Sequence, residues 1–295
     1  MKRIVVAMLV APLLSLMLAV NASGQPNPED KITPSWNKNG RIYFRYNKTG
    51  NGDVYSVKAD GSDLKLVIGS PAEDYPPRWS RDGKKGVFMT NRDDGDFEIY
   101  SVNVDGSGQK RLTFNKGNDW DPAWSPDGKR IVFMSSKDGN WEIYSMNADG
   151  SDQVRLTNDS ARDFSPAFSP DGKRVVFSSD RGGDADVHVM NADGTGVVNV
   201  GNKVEFDNAP EWSHDGKKII FARRETKDGK FQIYSMNSDG SGLTRLTNNS
   251  YSDLYPVPSP DGKMIVFQTD RDGHKEVYVM NADGTGQRRL VGNQM

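Results

Sequence analysis

The sequence predicts an all-β fold, a six-bladed β-propeller of four-stranded antiparallel blades. Three observations predict it. One unit recurs from Pro34, Pro77, Pro122, Pro166, Pro210 and Pro256, at spacings of 43, 45, 44, 44 and 46 residues. Periods of this length mark propellers and related repeat architectures. Twelve Asp-Gly or Asn-Gly turn pairs recur at matched offsets within the units. A strand in each unit is apolar at consecutive positions, as in Ile131-Val132-Phe133. Side chains alternate faces along a strand, so such a strand must be covered on both sides.

The unit Pro122 to Ser165 gives the elements in order. Ala123-Trp124-Ser125 is a short strand A, and Pro126-Asp127-Gly128 turns the chain. Lys129 to Ser135 is strand B, and Lys137-Asp138-Gly139-Asn140 turns again. Trp141 to Asn147 is strand C, Asp149-Gly150 is the third turn, and Gln153 to Thr157 is strand D. Asn158 to Ser165 crosses to the next unit. Tight hairpins need a positive φ that Gly adopts freely, with Asn or Asp beside it. Blades stacked in a ring cover both faces of strand B. An open stack would need polar end units. The first and last units keep apolar B strands, Ile42-Tyr43-Phe44 and Ile265-Val266-Phe267, so the ring closes.

Domain boundaries follow. Residues 1–24 read as a signal peptide, 25–33 as a linker and 34–295 as the propeller. Met1-Lys2-Arg3 is a basic head, and Ile4 to Val20 is an uncharged apolar run. Small residues follow at Val20-Asn21-Ala22 and Ala22-Ser23-Gly24, the layout of a secretory leader. The alternative is an uncleaved anchor. A periplasmic or secreted protein is therefore expected, with no membrane span after cleavage. The formal charge of −2 points away from nucleic acid. Cysteine is absent, which excludes disulfides and thiolate chemistry.

Trp124-Ser-Pro-Asp-Gly-Lys-Arg-Ile-Val-Phe133, followed by Glu142-Ile-Tyr144, Asp149-Gly150 and Arg155-Leu-Thr157, resembles the propeller repeat of the TolB family. It is similar, too, to the propeller domains of prolyl oligopeptidase and dipeptidyl peptidase IV relatives. The TolB resemblance implies a periplasmic propeller that binds partner proteins. It does not extend to the family's N-terminal domain, since only Gln25 to Thr33 separates the leader from the first unit. Some units depart from the pattern. Unit 1 has Asn37-Lys38-Asn39 for Ser-Pro-Asp. Units 2 and 5 have Arg81 and His214 at the turn proline. Unit 4 has Val197-Val198-Asn199-Val200 for Arg-Leu-Thr, and unit 6 has Pro258 for the strand A aromatic.

Catalytic chemistry is not expected. No Ser has Gly on both sides at two residues' distance, so the nucleophile elbow of hydrolases is missing. His188, His214 and His274 fall in different parts of different units, which disfavours a shared metal. No catalytic residue, cofactor or protein-held metal is assigned. The reading is an exported, monomeric, non-enzymatic scaffold that binds a protein or peptide in the envelope. The alternative is a propeller enzyme acting on an acidic glycan, or a metal-binding propeller.

A candidate binding ring does emerge. Asp74, Asp119, Asp163, Asp207 and Asp253 each stand three residues before a unit-start proline; Lys31 breaks the rule in unit 1. They should ring one mouth of the channel and attract a cation or a basic group, unless they only fix the crossings through backbone N–H bonds. Trp120, Trp141, Phe97 and Phe231 form a candidate aromatic platform on the same face. Arg92, Arg181, Arg223 and Arg271 near the B–C turns are candidate polar anchors. The crossing loops at Pro71–Tyr75, Lys116–Trp120 and Lys203–Asp207 share little but their Asp, so binding is expected on that face.

Overall fold

A computed structural model describes residues 31–47, 51–93, 95–201 and 206–291. The leader and most of the linker lie outside the described residues. Six separate four-stranded antiparallel sheets follow one another along the chain. Each takes its four strands from one unit in the order A-B-C-D. Strand A is Lys31–Trp36, Arg78–Trp79, Asp119–Trp124, Asp163–Phe168, Phe206–Trp212 and Asp253–Pro258 in blades 1 to 6. Each strand A touches the next around the ring, blade 6 meeting blade 1, so the six enclose a central channel. Blade 2 has the shortest strand A because Pro76 and Pro77 both lack the N–H that a ladder needs.

The hydrophobic core is six cores, not one. Each lies between two neighbouring blades. Strand B feeds both sides: Val132 packs toward blade 4, while Ile131 and Phe133 pack toward blade 2. Phe44, Phe88, Phe133, Phe177, Phe221 and Phe267 occupy one position in the six blades, all fully buried. Each such burial contributes about 1.5–3 kcal/mol. This is the physical reason the strand is apolar on both faces.

The Asp-Gly pair of the C–D hairpin serves the ring as well as the turn. A Cβ on Gly61, Gly106, Gly150, Gly194, Gly240 or Gly284 would lie 2.2–2.7 Å from a carbonyl oxygen of the preceding blade. Those oxygens belong to Leu290, Val67, Leu112, Leu156, Val200 and Leu246. Gly61 on Leu290 is the seam, where blade 1 meets blade 6 with the same contact as every other pair. Among the described residues no strand is exchanged there. Lys31 to Thr33, which the spacing sets aside as linker, extend strand A of blade 1. Arg288 adds a 2.6 Å bond to the Ala59 carbonyl across the seam.

Candidate functional site

Strand A bulges beside its proline. Thr33, Asp121, Ser165, Ala209 and Tyr255 each precede a unit-start proline and adopt φ between 47° and 52°. Side chains rarely accept this conformation, and it clusters where a fold fixes special geometry. The bulges bring polar groups together on the axis. Ser165 donates to the Asp121 carboxylate at 2.9 Å from the neighbouring blade. Burial deep in the channel holds the Asp121 carboxyl above its usual range, opposed by the Ser165 bond and by Arg78. Burial, reinforced by Asp121, pushes the Tyr255 phenol up in turn.

One step along the strand, Arg78 of blade 2 meets Glu211 of blade 5 at 2.6 Å. Blades 2 and 5 face each other, so this ion pair spans the channel. Burial raises the Glu211 carboxyl above its ordinary value, and Arg78 offsets part of that rise.

At the crossing end, the ring aspartates are fully buried, each at 0% exposure. The arginines read as independent anchors turn out to be their partners. Arg92 holds Asp74 at 2.6 Å, and Arg181 holds both Asp163 oxygens at 3.0 Å. Arg223 grips Asp207 by two bonds of 2.8 Å, and Arg271 reaches Asp253 at 3.0 Å. The same guanidiniums lie over Phe88, Phe177, Phe221 and Phe267 of their blades. Each pair therefore ties strand A to the end of strand B above the blade's central ring. Asp119 is the exception. Lys137 holds the arginine's place but turns to the Tyr144 ring and Gln153. Asp119 takes a 2.6 Å bond from Asn115 instead, and burial lifts its carboxyl. Carboxylates that are buried and mostly paired do not focus negative potential on the mouth.

The aromatic candidates separate. Phe97, Trp120 and Trp141 are half-buried and form one run with Tyr75, ring centres 5.4–5.8 Å apart. Phe231 is buried against Phe206 and offers no surface. Sequence reasoning missed Phe114. It stands on the crossing from blade 2 to blade 3, 72% exposed, with the Arg111 guanidinium 4.9 Å from its ring. The available signal was an aromatic where other units carry Gly69, Asn158 or Asn248. Of the crossing loop Lys203–Asp207, residues 203–205 lie outside the described residues.

The remaining polar clusters hold blades together. Glu142 at the head of strand C is fully buried and accepts from Thr157 at 2.7 Å and Arg155 at 2.6 Å. This explains why Glu-Ile-Tyr and Arg-Leu-Thr travel together in the repeat. In blade 4, Asn199 takes the place of that arginine, donating to Asp186 at 2.8 Å, and Gly201 stands where the threonine would be. His188 is buried, with its imidazole pKa pushed down by burial, and its Nδ1 faces the Asp186 carbonyl at 3.0 Å. His274 meets Glu276 at 2.8 Å in blade 6, and His214 is exposed on an A–B turn of blade 5. Among the described residues no group of three or more His, Asp or Glu side chains is disposed to hold a metal ion.

The sequence profile described as TolB beta propeller domain matches residues 115–295. The chain belongs to the TolB β-propeller family. A curated relative, the Protein TolB homolog of Chlorobium luteolum, is 34% identical over 61 residues, 21% of this chain and 14% of that protein. The crystal structure of TolB from Acinetobacter baumannii superposes with a TM-score of 0.74 at 27% identity, covering 90% of this chain and 64% of that one. The chain thus spans less than two thirds of these TolB proteins. An oligogalacturonate lyase in complex with manganese shares the fold alone, with a TM-score of 0.63 at 13% identity, covering 90% of this chain and 78% of that one.

The TolB-type repeat also shapes the mouth opposite the crossings. The residue ending strand A in each blade, Trp36, Trp79, Trp124, Phe168, Trp212 and Pro258, lines a recess of about 470 Å³. Glu211 of the transverse pair stands at its inner end. Pro126, Pro170 and Pro260 of blades 3, 4 and 6 stand around this lip. Lys38, Arg81 and His214 take the other three places.

Proposed function

We propose that the chain is exported and acts as a non-enzymatic TolB-like scaffold that binds a protein or peptide partner in the cell envelope. Phe114 carries this reading. It is a large aromatic side chain held in water on a crossing loop and flanked by an arginine, and the half-buried run Phe97, Trp120 and Trp141 lies at the same crossing end of blades 2 and 3. Aromatic and arginine side chains dominate the energetics of protein interfaces. Membership in the TolB family supports the same reading. In it, the five buried aspartates frame the crossing face and do not contact the partner.

A photo-reactive benzophenone amino acid placed at position 114 tests it in the native envelope. The expected result is a cross-linked partner protein, lost when the same probe sits at Val154 on the outer edge of blade 3. Labelling that is equal at both positions, or confined to glycan, overturns the proposal. Intact mass of the native protein tests export, with a start near Ser23 or Gln25 expected.

A further inference from the structure

We propose that the recess on the A–B turn face is a second binding site, and that it takes a short acidic peptide segment bearing a bulky apolar residue. The proposal is independent of the crossing-face reading. Its wall is apolar: the strand A aromatics, with Trp79, Trp124 and Phe168 half-buried and open to the recess. A cavity of about 470 Å³ suits a side chain and its flanks, not a folded domain. The Arg78–Glu211 pair crosses the channel at the inner end, so the site receives a chain end or loop tip and not a threaded strand.

Charge at the lip sets the partner's sign. In blades 2 to 6 the turn aspartate is matched by a lysine two residues on, as Asp82 by Lys84 and Asp127 by Lys129. Those charges cancel. Blade 1 has Asn39 in place of the aspartate, which leaves Lys38 in surplus although Asp82 of the next blade lies near it. Arg81 is likewise surplus. It leans across the mouth, with a single long 3.5 Å contact to the Pro170 carbonyl. Among the described residues Glu211 is the one acid lining the recess, and Arg78 already neutralises it. Two cations in excess of the matched Asp–Lys pairs therefore stand over an aromatic pocket, beside His214. Apolar side chains fill such a pocket, and carboxylates flanking them meet Lys38 and Arg81.

The test is a display library of random heptapeptides selected on the intact propeller, followed by fluorescence anisotropy with the selected peptides. Selected sequences should join Asp or Glu to a bulky apolar residue, and binding should weaken as salt rises. The pair Lys38→Glu and Arg81→Glu, both exposed sites, should cut affinity at least tenfold with melting temperature unchanged. Indole NMR signals of Trp79 and Trp124 should shift on binding. Selection of basic or neutral peptides, or of none, overturns the proposal. Shifts confined to Trp120 and Trp141 would place the peptide on the other face and overturn it as well. Binding of oligogalacturonate in place of any peptide would make the recess a glycan site instead.

Discussion

Arg78 and Glu211 form a 2.6 Å ion pair across the axis of the ring, joining blades that share no other described bond. The pair acts as a tie rod through the channel. Removing one partner of a fully buried pair costs about 3–5 kcal/mol. Arg78 is about a third exposed and Glu211 less, so water reduces that cost. Arg78→Met should destabilise the fold by about 1–2 kcal/mol in chemical denaturation. Adding Glu211→Gln should recover most of the loss, because no uncompensated charge remains. Failure of the second change to rescue would show that the rod acts through packing.

The Asp–Arg pairs at the crossings predict a contrast between blades. Arg181→Met strands the fully buried Asp163 and should cost about 2–4 kcal/mol. Lys137→Met, at the same position in blade 3, should cost far less, since Lys137 does not hold Asp119. The double variant Asp119→Asn with Asp163→Asn should lower the melting temperature and leave partner affinity of the folded fraction intact. A fall in affinity without a fall in stability would return the ring to the contact surface.

Two glycines separate turn geometry from blade contact. Gly139 and Gly150 have φ of 90° and 94°. A Cβ on Gly139 meets nothing within 4 Å, whereas one on Gly150 would lie 2.5 Å from the Leu112 oxygen. Gly139→Ala should cost about 1–2 kcal/mol from the left-handed backbone alone. Gly150→Ala adds the steric clash and should cost clearly more. Equal shifts in denaturation midpoint would remove the hairpin from the inter-blade contact.

Stability should peak at mildly acidic pH. Burial raises the Asp207 carboxyl to about 6 despite Arg223, from an ordinary 3.8. The folded state then holds a proton that the unfolded state has released, so this group favours folding most below 3.8 and loses that contribution as pH rises through about 6. The turn aspartates, such as Asp82 and Asp149, have the opposite sign. Bonds from Ser80 and Ser151 hold their carboxyls down, so their contribution is present above the ordinary 3.8 and is lost as pH falls below it. Melting temperature should rise from pH 7 toward pH 5 and fall below pH 4. Asp207→Asn should flatten the upper limb. An unaltered profile in that variant would assign the limb to other groups.

The repeat made the blades legible because each hairpin announces itself locally. Asp149-Gly150 is a turn in any context, and Ile131-Val132-Phe133 demands cover on both faces whatever the neighbours are. The site was less legible because its pairings cross between separate features. Arg181 and Asp163 lie 18 residues apart, as do Arg92 and Asp74, and Arg271 and Asp253. That offset is visible in the sequence, yet it carries meaning only once the ends of strands A and B are known to lie side by side. Trp124 reads as an ordinary strand residue, and only the closed ring turns it and Trp79 into the wall of a recess. Arg78 and Glu211 carry no repeat signal at all, since their meeting depends on two blades being opposite.

The seam between Gly61 and Leu290 has a topological consequence. A propeller closed by a shared strand has a clasp, and its ends cannot be moved without cutting it. Here every junction is the same joint, so the chain is a necklace that could be opened at any link. Joining Val291 to Lys31 through a short linker, and opening the crossing at Asp159, should yield a circular permutant with native blades. The same equivalence gives a route for growth. Duplicating one whole unit adds a blade with ready-made contacts on both sides, and the ring has only to widen to admit it.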